Sequence, residues 1–552
     1  MKVEKLILKH VLLNALEHEG KAQEQAVVGK VIAEKPELKT KVKEVLSEVK
    51  KVVQLVNSWS LSRQQQELKK LRVRVRRKKA KKYELPPLPH ARKGKVVTAF
   101  PPEPSKYPHL GHAKTALLNY LYAKRYKGKF ICRMEDSDPT KVAKEFYQAF
   151  LEGLRWLKIK FDKLDFLSNH LEKFYQVTST LVEQGKAYVC LCPRERVKLL
   201  RKEGKACEHR AQSVEENLRL WKAMLEGKIE EGKASLRLKI DPSHPNTAMR
   251  DPSLMRIIKA KHPRTGKKFR VWPLYDFGTA LLDAWEGVTH RIRSKEFEAR
   301  TELQNFIREA CGIKKHPYIV EIGRFELEGA LTSGRKIRAM LASGELKGWD
   351  DPRLPTLVAL KKRGFVPEAI CKFLLSTGVT KAEAKLSWKA LEAVNRSLID
   401  KRANRYFAVL NPVKISVENA PPTKEVKAEV HPERKKIKRR IPVKLDEIYV
   451  EREDFEKLEG KEVSLMNLFT VNLAKKSNFL TKEIKLELPK IQWVSKPFLE
   501  AKLVLPTAEE KTILAEPALS KEKKDSLVQL VRIGFCRVEK AGEKPTLYFT
   551  HK

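Results

Sequence analysis

The sequence predicts a multidomain protein that combines α/β and β architecture, and three observations lead to this prediction. The chain has 552 residues, which is more than one hydrophobic core usually serves. A β-branched run at residues 96–98, a helical run and a second apolar run at residues 130–134 predict a strand–helix–strand unit of a parallel sheet. Beyond residue 405, short apolar runs separated by prolines and charges are typical of barrels or sandwiches.

Composition narrows the class of partner. Lys and Arg together number 114 and Asp and Glu 69, so the formal net charge is +45. Such a charge favours a polyanion, usually a nucleic acid, while 42% hydrophobic residues argue against a disordered basic tail. Seven cysteines, an odd number in a long chain, do not indicate a disulfide framework. Without an apolar run near 20 residues or a signal-peptide core, we expect a cytoplasmic protein without membrane partners.

The first 90 residues are predicted to form a helical module and a basic linker. One apolar helix stripe is drawn by Val42, Val45, Leu46, Val49, Val52, Val53 and Val56. The linker prediction rests on a Lys/Arg-rich run at residues 72–82 and the prolines that follow it. The helices hold no catalytic constellation and are a candidate for binding a protein partner.

A proline-rich loop follows the first strand and leads into a helix at His109-Leu110-Gly111-His112. A helix N-terminus in this position offers unpaired N–H groups and a positive dipole to an anion such as a phosphate. The plainer alternative is a proline-rich turn with two surface histidines. Glu135 and Asp136 emerge at the end of the second strand, where sites of parallel sheets lie.

Two further segments carry candidate ligands. Cys190, Cys192, Cys207 and His209 have the number and type of ligands for a structural tetrahedral zinc site, although reduced core cysteines and a surface histidine fit the same spacing. Residues 271–297 alternate aromatic, acidic and basic groups, which suits a polar pocket, and residues 323–337 include a small basic loop that suits a triphosphate.

Three of these stretches resemble signatures of one family. The stretch from Phe100 to Lys114 resembles the HIGH signature of class I aminoacyl-tRNA synthetases, in the form F-P-P-E-P-S-x-Y-x-H-L-G-H-A-K found in the glutamyl and glutaminyl subgroup. The run from Tyr275 to Arg293 resembles that subgroup's Y-D-F … D-x-x-x-G-x-T-H-x-x-R pattern. Thr332-Ser333-Gly334-Arg335-Lys336-Ile337 is similar to the second class I signature, KMSKS. The likeness covers nearly the whole chain and is strongest to the archaeal type of glutamyl-tRNA synthetases.

The resemblance implies a domain order. It implies a helical module and basic linker at 1–90, a Rossmann-like catalytic domain at 91–186 and 266–345, and an inserted acceptor-stem-binding module at 187–265. A helical stem-contact domain at 346–405 and a β-barrel anticodon-binding domain at 406–552 would follow.

The resemblance also implies the reaction and the residues that carry it. Glutamate would be activated by ATP with Mg²⁺ and transferred to tRNA(Glu), and tRNA(Gln) is a candidate second substrate. The residues implied to bind ATP are His109, Gly111, His112, Arg324, Phe325, Ser333, Arg335 and Lys336, with both histidines, Arg335 and Lys336 counted as catalytic. Glu135 would accept the ammonium group of glutamate, and Tyr275 and Arg293 would face the amino acid.

The chain departs from the family pattern at two positions. Gly334 stands where the second signature normally has its phosphate-binding lysine, so Arg335 or Lys336 would have to take that role. Ala99 stands where relatives usually have an arginine that is expected to contact the amino acid. Two alternatives therefore stay open: a glutaminyl-tRNA synthetase, and a catalytically inactive tRNA-binding paralogue.

Overall fold

The structure is a computed structural model that describes residues 3–17, 20–71, 84–485 and 487–552. The predicted basic linker at residues 72–82 lies outside the described residues. The chain divides into two compact units, Met1–Lys82 and Tyr83–Lys552. None of the described helices is long and apolar enough to cross a membrane.

Within residues 3–17 and 20–71, the first unit has four α-helices around one apolar cluster. They are α1 (Val3–Glu17), α2 (Glu24–Glu34), α3 (Val42–Asn57) and α4 (Leu61–Lys70). In α3 the buried stripe is Val45, Val49, Val53 and Val56. Val42 and Leu46 were predicted to share this stripe but are exposed, since Val42 is the first residue of α3 and Leu46 lies about 100° around the helix from Val45.

The second unit begins with the predicted strand–helix–strand segment. It comprises β1 (Val97–Phe100), α5 (Leu110–Arg125), β2 (Lys129–Met134), α6 (Lys144–Trp156), β3 (Lys163–Phe166) and α7 (Leu171–Glu183). β1 pairs with β2 in parallel, as predicted, and β2 pairs with β3 in parallel. Helix α5 starts at Leu110, three residues earlier than its apolar periodicity indicates, because His109 caps it.

An antiparallel module is inserted next. It comprises β4 (Ala187–Cys190), α8 (Arg194–Glu203), α9 (Val214–Glu226), β5 (Ser235–Leu238), β6 (Ser253–Ile257) and β7 (Val271–Pro273). The four strands form one sheet in the order β4-β5-β6-β7. The chain then returns to the parallel sheet through α10 (Tyr275–Trp285), β8 (His290–Ser294), α11 (Arg300–Ala310) and β9 (Tyr318–Ile322).

The completed parallel sheet has the order β3-β2-β1-β8-β9. Strands β1 and β8, which are about 190 residues apart in the sequence, are therefore neighbours in space. Their carboxyl ends, with the loops that follow β1 and β2, form one edge of the sheet, which is where ligands bind in open α/β sheets.

A mostly helical segment follows. It consists of β10 (Phe325–Leu327), α12 (Gly334–Ala342), α13 (Leu357–Arg363), α14 (Pro367–Ser376), β11 (Ala384–Leu386) and α15 (Trp388–Ile399), and β10 pairs with β11. Helices α13, α14 and α15 lie within residues 346–405, for which a helical domain was expected.

The remaining chain is β-rich, as predicted. Its strands are β12 (Asn404–Tyr406), β13 (Ala408–Val409), β14 (Pro412–Glu418), β15 (Glu425–Glu429), β16 (Lys438–Pro442), β17 (Ile448–Glu451), β18 (Glu462–Leu465), β19 (Thr470–Asn472), β20 (Lys476–Thr481), β21 (Lys490–Ile491), β22 (Trp493–Ser495), β23 (Leu499–Val504), β24 (Glu510–Ala515), β25 (Leu527–Leu530), β26 (Gly534–Lys540) and β27 (Thr546–His551), with one short helix α16 (Arg452–Leu458). Two seven-stranded sheets, β12-β25-β26-β27-β23-β24-β13 and β21-β18-β19-β20-β14-β17-β22, carry separate apolar clusters.

Candidate active site

The two histidines of the first signature cap helix α5. His109 is the N-cap residue, and its Nδ1 accepts a hydrogen bond from the Gly111 N–H at 3.1 Å. In return, the His109 N–H donates to Nδ1 of His112 at 3.2 Å. This reciprocal arrangement is a capping box built from imidazoles, and it satisfies N–H groups that a helix start leaves unpaired. The helix start is therefore rigid without any ligand.

The same hydrogen bonds select the tautomer of both rings. Because each Nδ1 accepts, a neutral imidazole carries its proton on Nε2, which is then a donor. Burial, with the Lys106 charge nearby, lowers the pKa of His109 to about 3 and also lowers that of His112. Both rings are therefore neutral donors near pH 7, and they lie 4.0 Å apart between ring centroids.

Gly111 has a local steric reason to be glycine. A Cβ at this position would lie 2.9 Å from Cε1 of His109 and 3.1 Å from its Nδ1. A side chain would displace the ring of His109 before it met any nucleotide. The glycine thus preserves the imidazole cap as well as leaving the backbone open.

Glu135 lies in a buried network of ion pairs. Its Oε1 accepts from Nη2 of Arg133 at 3.1 Å and from the hydroxyl of Thr279. Arg133 also bonds Asp283 at 2.9 Å and Glu286 at 2.5 Å. Burial raises the pKa of Glu135, while Arg133 opposes that shift. The carboxylate is held in place by the charge of Arg133 on β2 and the hydroxyl of Thr279 on α10.

Arg293 is held by uncharged groups. It donates to Oε1 of Gln304 at 2.7 Å, to the hydroxyl of Thr301 at 2.6 Å and to the carbonyl of Phe297 at 3.1 Å. Tyr275 packs against Phe297 in a tilted arrangement with ring centroids 5.1 Å apart, and burial raises the pKa of Tyr275 to about 12. Arg293 is buried beside neutral partners, so its charge is available to an anionic ligand.

The second signature lies at the start of α12. Ser333 is the N-cap residue, with its hydroxyl 3.5 Å from the Lys336 N–H. Arg335 and Lys336 are exposed, and Arg324 is exposed and pairs with Glu296 at 2.8 Å. Phe325 is half-buried beneath the Lys114 ammonium, 5.5 Å from the ring centroid.

Both signatures meet in the fold. Arg338 of α12 donates to the carbonyl of Ser105, in the loop after β1, at 2.8 Å. The structure therefore brings the first signature beside the second. The charges of Glu135 and Arg293 both act on the pKa of Tyr275, so these three residues lie near one another.

Sequence reasoning missed two residues at this edge, Lys106 and Arg291. Lys106 packs against Gly334, and Arg291 bonds Asp283 at 2.5 Å. Lys106 occupies the unspecified position in the first signature, and Arg291 an unspecified position between His290 and Arg293. A motif comparison does not examine these unspecified positions. The only signal in the sequence was that Gly334 and Ala99 each replace a basic residue of the family pattern, which called for a substitute elsewhere.

The four candidate zinc ligands are clustered. The ligand atoms of Cys190, Cys192, Cys207 and His209 all lie within 4.8 Å of one another, at the end of β4 and in the turn after α8. The sulfurs of Cys190 and Cys207 are 3.7 Å apart, and Cys192 Sγ is 3.4 Å from Nδ1 of His209. Nη1 of Arg237 lies 3.6 Å from the Cys207 sulfur. All seven cysteines are free thiols.

Comparison with known families places the chain in a class. A family described as the catalytic domain of class I tRNA synthetases (E and Q) matches residues 95–401, and the anticodon-binding domain of the same class matches residues 403–489. The chain belongs to the class I tRNA synthetases of the glutamate and glutamine group, as its signatures indicated.

Full-length relatives define the type within that class. Glutamate–tRNA ligases of Pyrococcus furiosus and Pyrococcus abyssi are each 41% identical to this chain, with 100% of both chains covered. That of Korarchaeum cryptofilum is 40% identical over 98% of each chain. The predicted archaeal type of glutamyl-tRNA synthetase and the predicted multidomain fold are confirmed.

Proposed function

We infer that this chain is an enzyme that activates glutamate with ATP and esterifies it to the 3′ end of tRNA(Glu). The observation that carries this inference is the identity of about 40% over the full length to archaeal glutamate–tRNA ligases. In the first step, an α-carboxylate oxygen of glutamate forms a bond to the α-phosphorus, and the bridging oxygen leaves with its electron pair on pyrophosphate. In the second step, the ribose hydroxyl oxygen forms a bond to the carbonyl carbon and its proton passes to solvent, while AMP leaves with the electron pair of the broken bond between the carbonyl carbon and the phosphate oxygen.

The imidazole cap supports a role in the first step. As the α-phosphate gains charge in the transition state, the Nε2–H groups of His109 and His112 would donate to its oxygens. Neutral, pre-oriented donors suit this role because they need no reorganisation during the reaction. Mg²⁺ arrives with ATP as part of the substrate, and Arg324, Phe325 and Ser333 line the approach to the nucleotide in this proposal.

The sheet edge supports binding of the amino acid. Glu135 would accept the substrate ammonium through its carboxylate, and Arg293 would pair with a carboxylate, for which its planar guanidinium is suited. Tyr275 would close the pocket beside them. In this proposal Arg335 and Lys336 hold the β- and γ-phosphates from the exposed start of α12.

We propose a structural zinc ion at the four-ligand cluster. With Zn–S bonds of about 2.3 Å, the edge between two sulfurs of a tetrahedron is about 3.8 Å, and the sulfur–nitrogen edge is about 3.6 Å. The separations of 3.7 Å and 3.4 Å match these edges. Arg237 would neutralise thiolate charge from outside the cluster. With four protein ligands, the ion would hold β4 to the turn after α8.

The tRNA would contact the inserted module at its acceptor end and the β-rich half at its anticodon. Exposed Lys435, Lys436, Lys438 and Arg440 around β16 support such a contact. Arg439, in the same basic run, is buried and pairs with Glu516 at 2.8 Å, so this member of the run is structural. We keep the domain limits of the sequence prediction as part of this proposal.

Charging assays test the function. Purified protein, ATP, Mg²⁺ and total tRNA are incubated with labelled glutamate or labelled glutamine, and the ester on tRNA is measured. We expect glutamate to be esterified and glutamine not. A preference for glutamine would indicate a glutaminyl-tRNA synthetase, and tRNA binding without ester would indicate an inactive paralogue. Purified tRNA(Glu) and tRNA(Gln) used separately decide whether both are charged.

Two further expectations concern the setting of the enzyme. We propose a protein partner for the helical module, because Leu46, Leu55 and Leu61 are large apolar side chains exposed on its helices. Pull-down with residues 1–90 deleted and present would test it. A cytoplasmic place for the reaction remains a prediction from the sequence.

A further inference from the structure

We propose that Lys106 supplies the phosphate-binding cation that the second signature lacks at Gly334. This proposal rests on the proposed function and names a further residue for its first step. In this chain the positive charge would come from the loop of the first signature, whereas in relatives it comes from the second signature.

The packing of Gly334 carries the proposal. A Cβ built on Gly334 would lie 3.0 Å from Cδ of Lys106 and 3.6 Å from its Cβ. The aliphatic stem of Lys106 therefore crosses the volume into which a side chain at position 334 would project. Two bonds of about 1.5 Å carry the charge of Lys106 from Cδ to Nζ. That ammonium thus lies in the region that a lysine at position 334 could reach.

The charge of Lys106 is directed to the site. Lys106 is half-buried, and its charge lowers the pKa of both His109 and His112. Arg338, from α12, holds the carbonyl of the preceding residue Ser105 and so fixes the loop that presents Lys106. Within residues 84–485 and 487–552, no ion pair or hydrogen bond engages the Lys106 ammonium. Burial lowers the pKa of Lys106, and the charges of Glu103 and Arg338 also act on it, but neither residue bonds the ammonium directly.

This placement suits the leaving group. When the bond between the α-phosphorus and the bridging oxygen breaks, negative charge grows on pyrophosphate. An ammonium at the junction of the two signatures would pair with that charge while the imidazoles donate to the α-phosphate. A lysine serves here as a point charge on a flexible stem, which phosphate oxygens accept from several directions.

The test removes the lysine at position 106 and introduces one at position 334. We compare wild type, Lys106→Ala, Gly334→Lys and the double variant Lys106→Ala/Gly334→Lys in glutamate-dependent ATP–pyrophosphate exchange with tRNA present. Lys106→Ala should lower kcat by about 10²- to 10³-fold, the range for loss of one transition-state donor. KM for glutamate and the Kd for tRNA should stay within about two-fold of wild type, while the double variant should recover at least ten-fold of the loss.

Controls separate this outcome from others. Lys93→Ala removes an equally positive but exposed residue outside the site and should leave kcat unchanged. Lys106→Arg, which keeps the charge, should stay within about ten-fold of wild type if Lys106→Ala does not fold. Unchanged exchange in Lys106→Ala, an equal loss of tRNA affinity, or no recovery in the double variant would overturn the proposal. No exchange by the wild type would instead overturn the proposed function.

The register of β1 against β8 independently carries a second proposal: we infer that Arg291 supplies the substrate-facing guanidinium that Ala99 lacks. This proposal also rests on the proposed function. Thr98 and His290 are ladder partners in the parallel pair β1–β8, so Ala99 and Arg291 are the next neighbours along the strands. Residues in register share a face of the sheet, and Arg293, two positions on, shares it too. Ala99 is fully buried and brings no charge to that face.

Charge balance at this face leaves room for an anion. Three buried arginines face three carboxylates, namely Arg133, Arg291 and Arg308 against Glu135, Asp283 and Glu286. Arg293 adds a fourth cation held by neutral groups, and its ladder partner Glu321 on β9 is itself paired with Lys381 at 2.7 Å. Among the described residues, Nε of Arg291 is buried and lacks a hydrogen-bond partner, as do Nε of Arg133 and Arg293 and Nη2 of Arg308. A buried donor without a partner is costly, and a substrate carboxylate would satisfy it.

The test measures discrimination between glutamate and glutamine. Arg291→Gln keeps a hydrogen-bond donor on a shorter side chain but removes the charge, so we expect kcat/KM for glutamate to fall about 10²-fold, mainly through KM. KM for ATP should not change, and the preference for glutamate over glutamine should narrow. Ala99→Arg in the Arg291→Gln background should recover part of that preference.

A matched control addresses a purely structural role. Arg308 is equally buried and also faces Asp283, at 3.7 Å, but it comes from α11 and not from β1 or β8. Arg308→Gln should lower stability without changing the glutamate-to-glutamine ratio. If Arg291→Gln and Arg308→Gln change that ratio equally, or neither changes it, Arg291 has no role in recognition. If Arg291→Gln does not fold, Arg291→Lys is measured instead, and the preference for glutamate over glutamine should narrow by a smaller factor. An unchanged glutamate-to-glutamine ratio in Arg291→Lys would also overturn the proposal. A wild type that does not activate glutamate would again count against the proposed function rather than against Arg291.

Discussion

The double role of His109, as helix cap and as donor, can be separated by two substitutions. His109→Asn keeps a side-chain acceptor for the Gly111 N–H, since asparagine is a favoured N-cap residue, but removes the Nε2 donor. His109→Ala removes both. The capping hydrogen bond contributes about 1 kcal/mol to stability, so His109→Ala should lower the free energy of unfolding by about 1 kcal/mol and His109→Asn by only about a few tenths of a kcal/mol.

Catalysis should respond differently from stability. Both variants lose the same donor, so both should lose about 10²- to 10³-fold in kcat for tRNA charging, or about 2.7 to 4 kcal/mol of transition-state stabilisation. Urea unfolding and charging kinetics of the two variants are compared with wild type. Full activity of His109→Asn would refute the donor role, and equal destabilisation by Asn and Ala would refute the cap.

Three further predictions follow from buried groups. Folding lowers the pKa of His109 from 6.5 to about 3, so below pH 6.5 the unfolded state binds more protons than the folded state. The free energy of unfolding should therefore fall as the pH drops from 6.5 toward 3, and it should fall less in His109→Asn. Thermal unfolding measured across this pH range tests this prediction. Metal analysis should find one zinc per chain, lost in Cys192→Ser but kept in Cys311→Ser, and a zinc-free wild type would exclude the site. Arg439→Met, which leaves the buried Glu516 carboxylate unpaired, should cost about 3 to 5 kcal/mol in urea unfolding, whereas a comparable cost for the exposed Arg440→Met would refute this assignment.

The parallel sheet and the positions of the signatures were accessible from sequence for simple physical reasons. The β-branched run before four prolines can form a strand but not continue as a helix, and the apolar period of α5 is unbroken. The cysteines and His209 come together because β4 and the turn after α8 are close along the chain. Local pattern sufficed for each of these features.

What the sequence did not reveal depends on contacts between distant segments. Lys106 matters through α12, more than two hundred residues later, and Arg291 through the pairing of β8 with β1. Arg439 belongs to a basic run that the sequence suggests is solvent-exposed, yet its side chain is buried and forms an ion pair with Glu516. The imidazole capping box could not be predicted from the sequence either, because a proline-rich loop does not specify which ring nitrogen of each histidine accepts a hydrogen bond.

A crystal structure with a non-hydrolysable glutamyl-adenylate analogue tests the assembled site most directly. We predict that the group replacing the α-phosphate lies within about 3.2 Å of Nε2 of His109 or His112, with the substrate side-chain carboxylate on Arg291 or Arg293. An analogue bound away from the start of α5, or with its carboxylate turned from β8, would contradict this account.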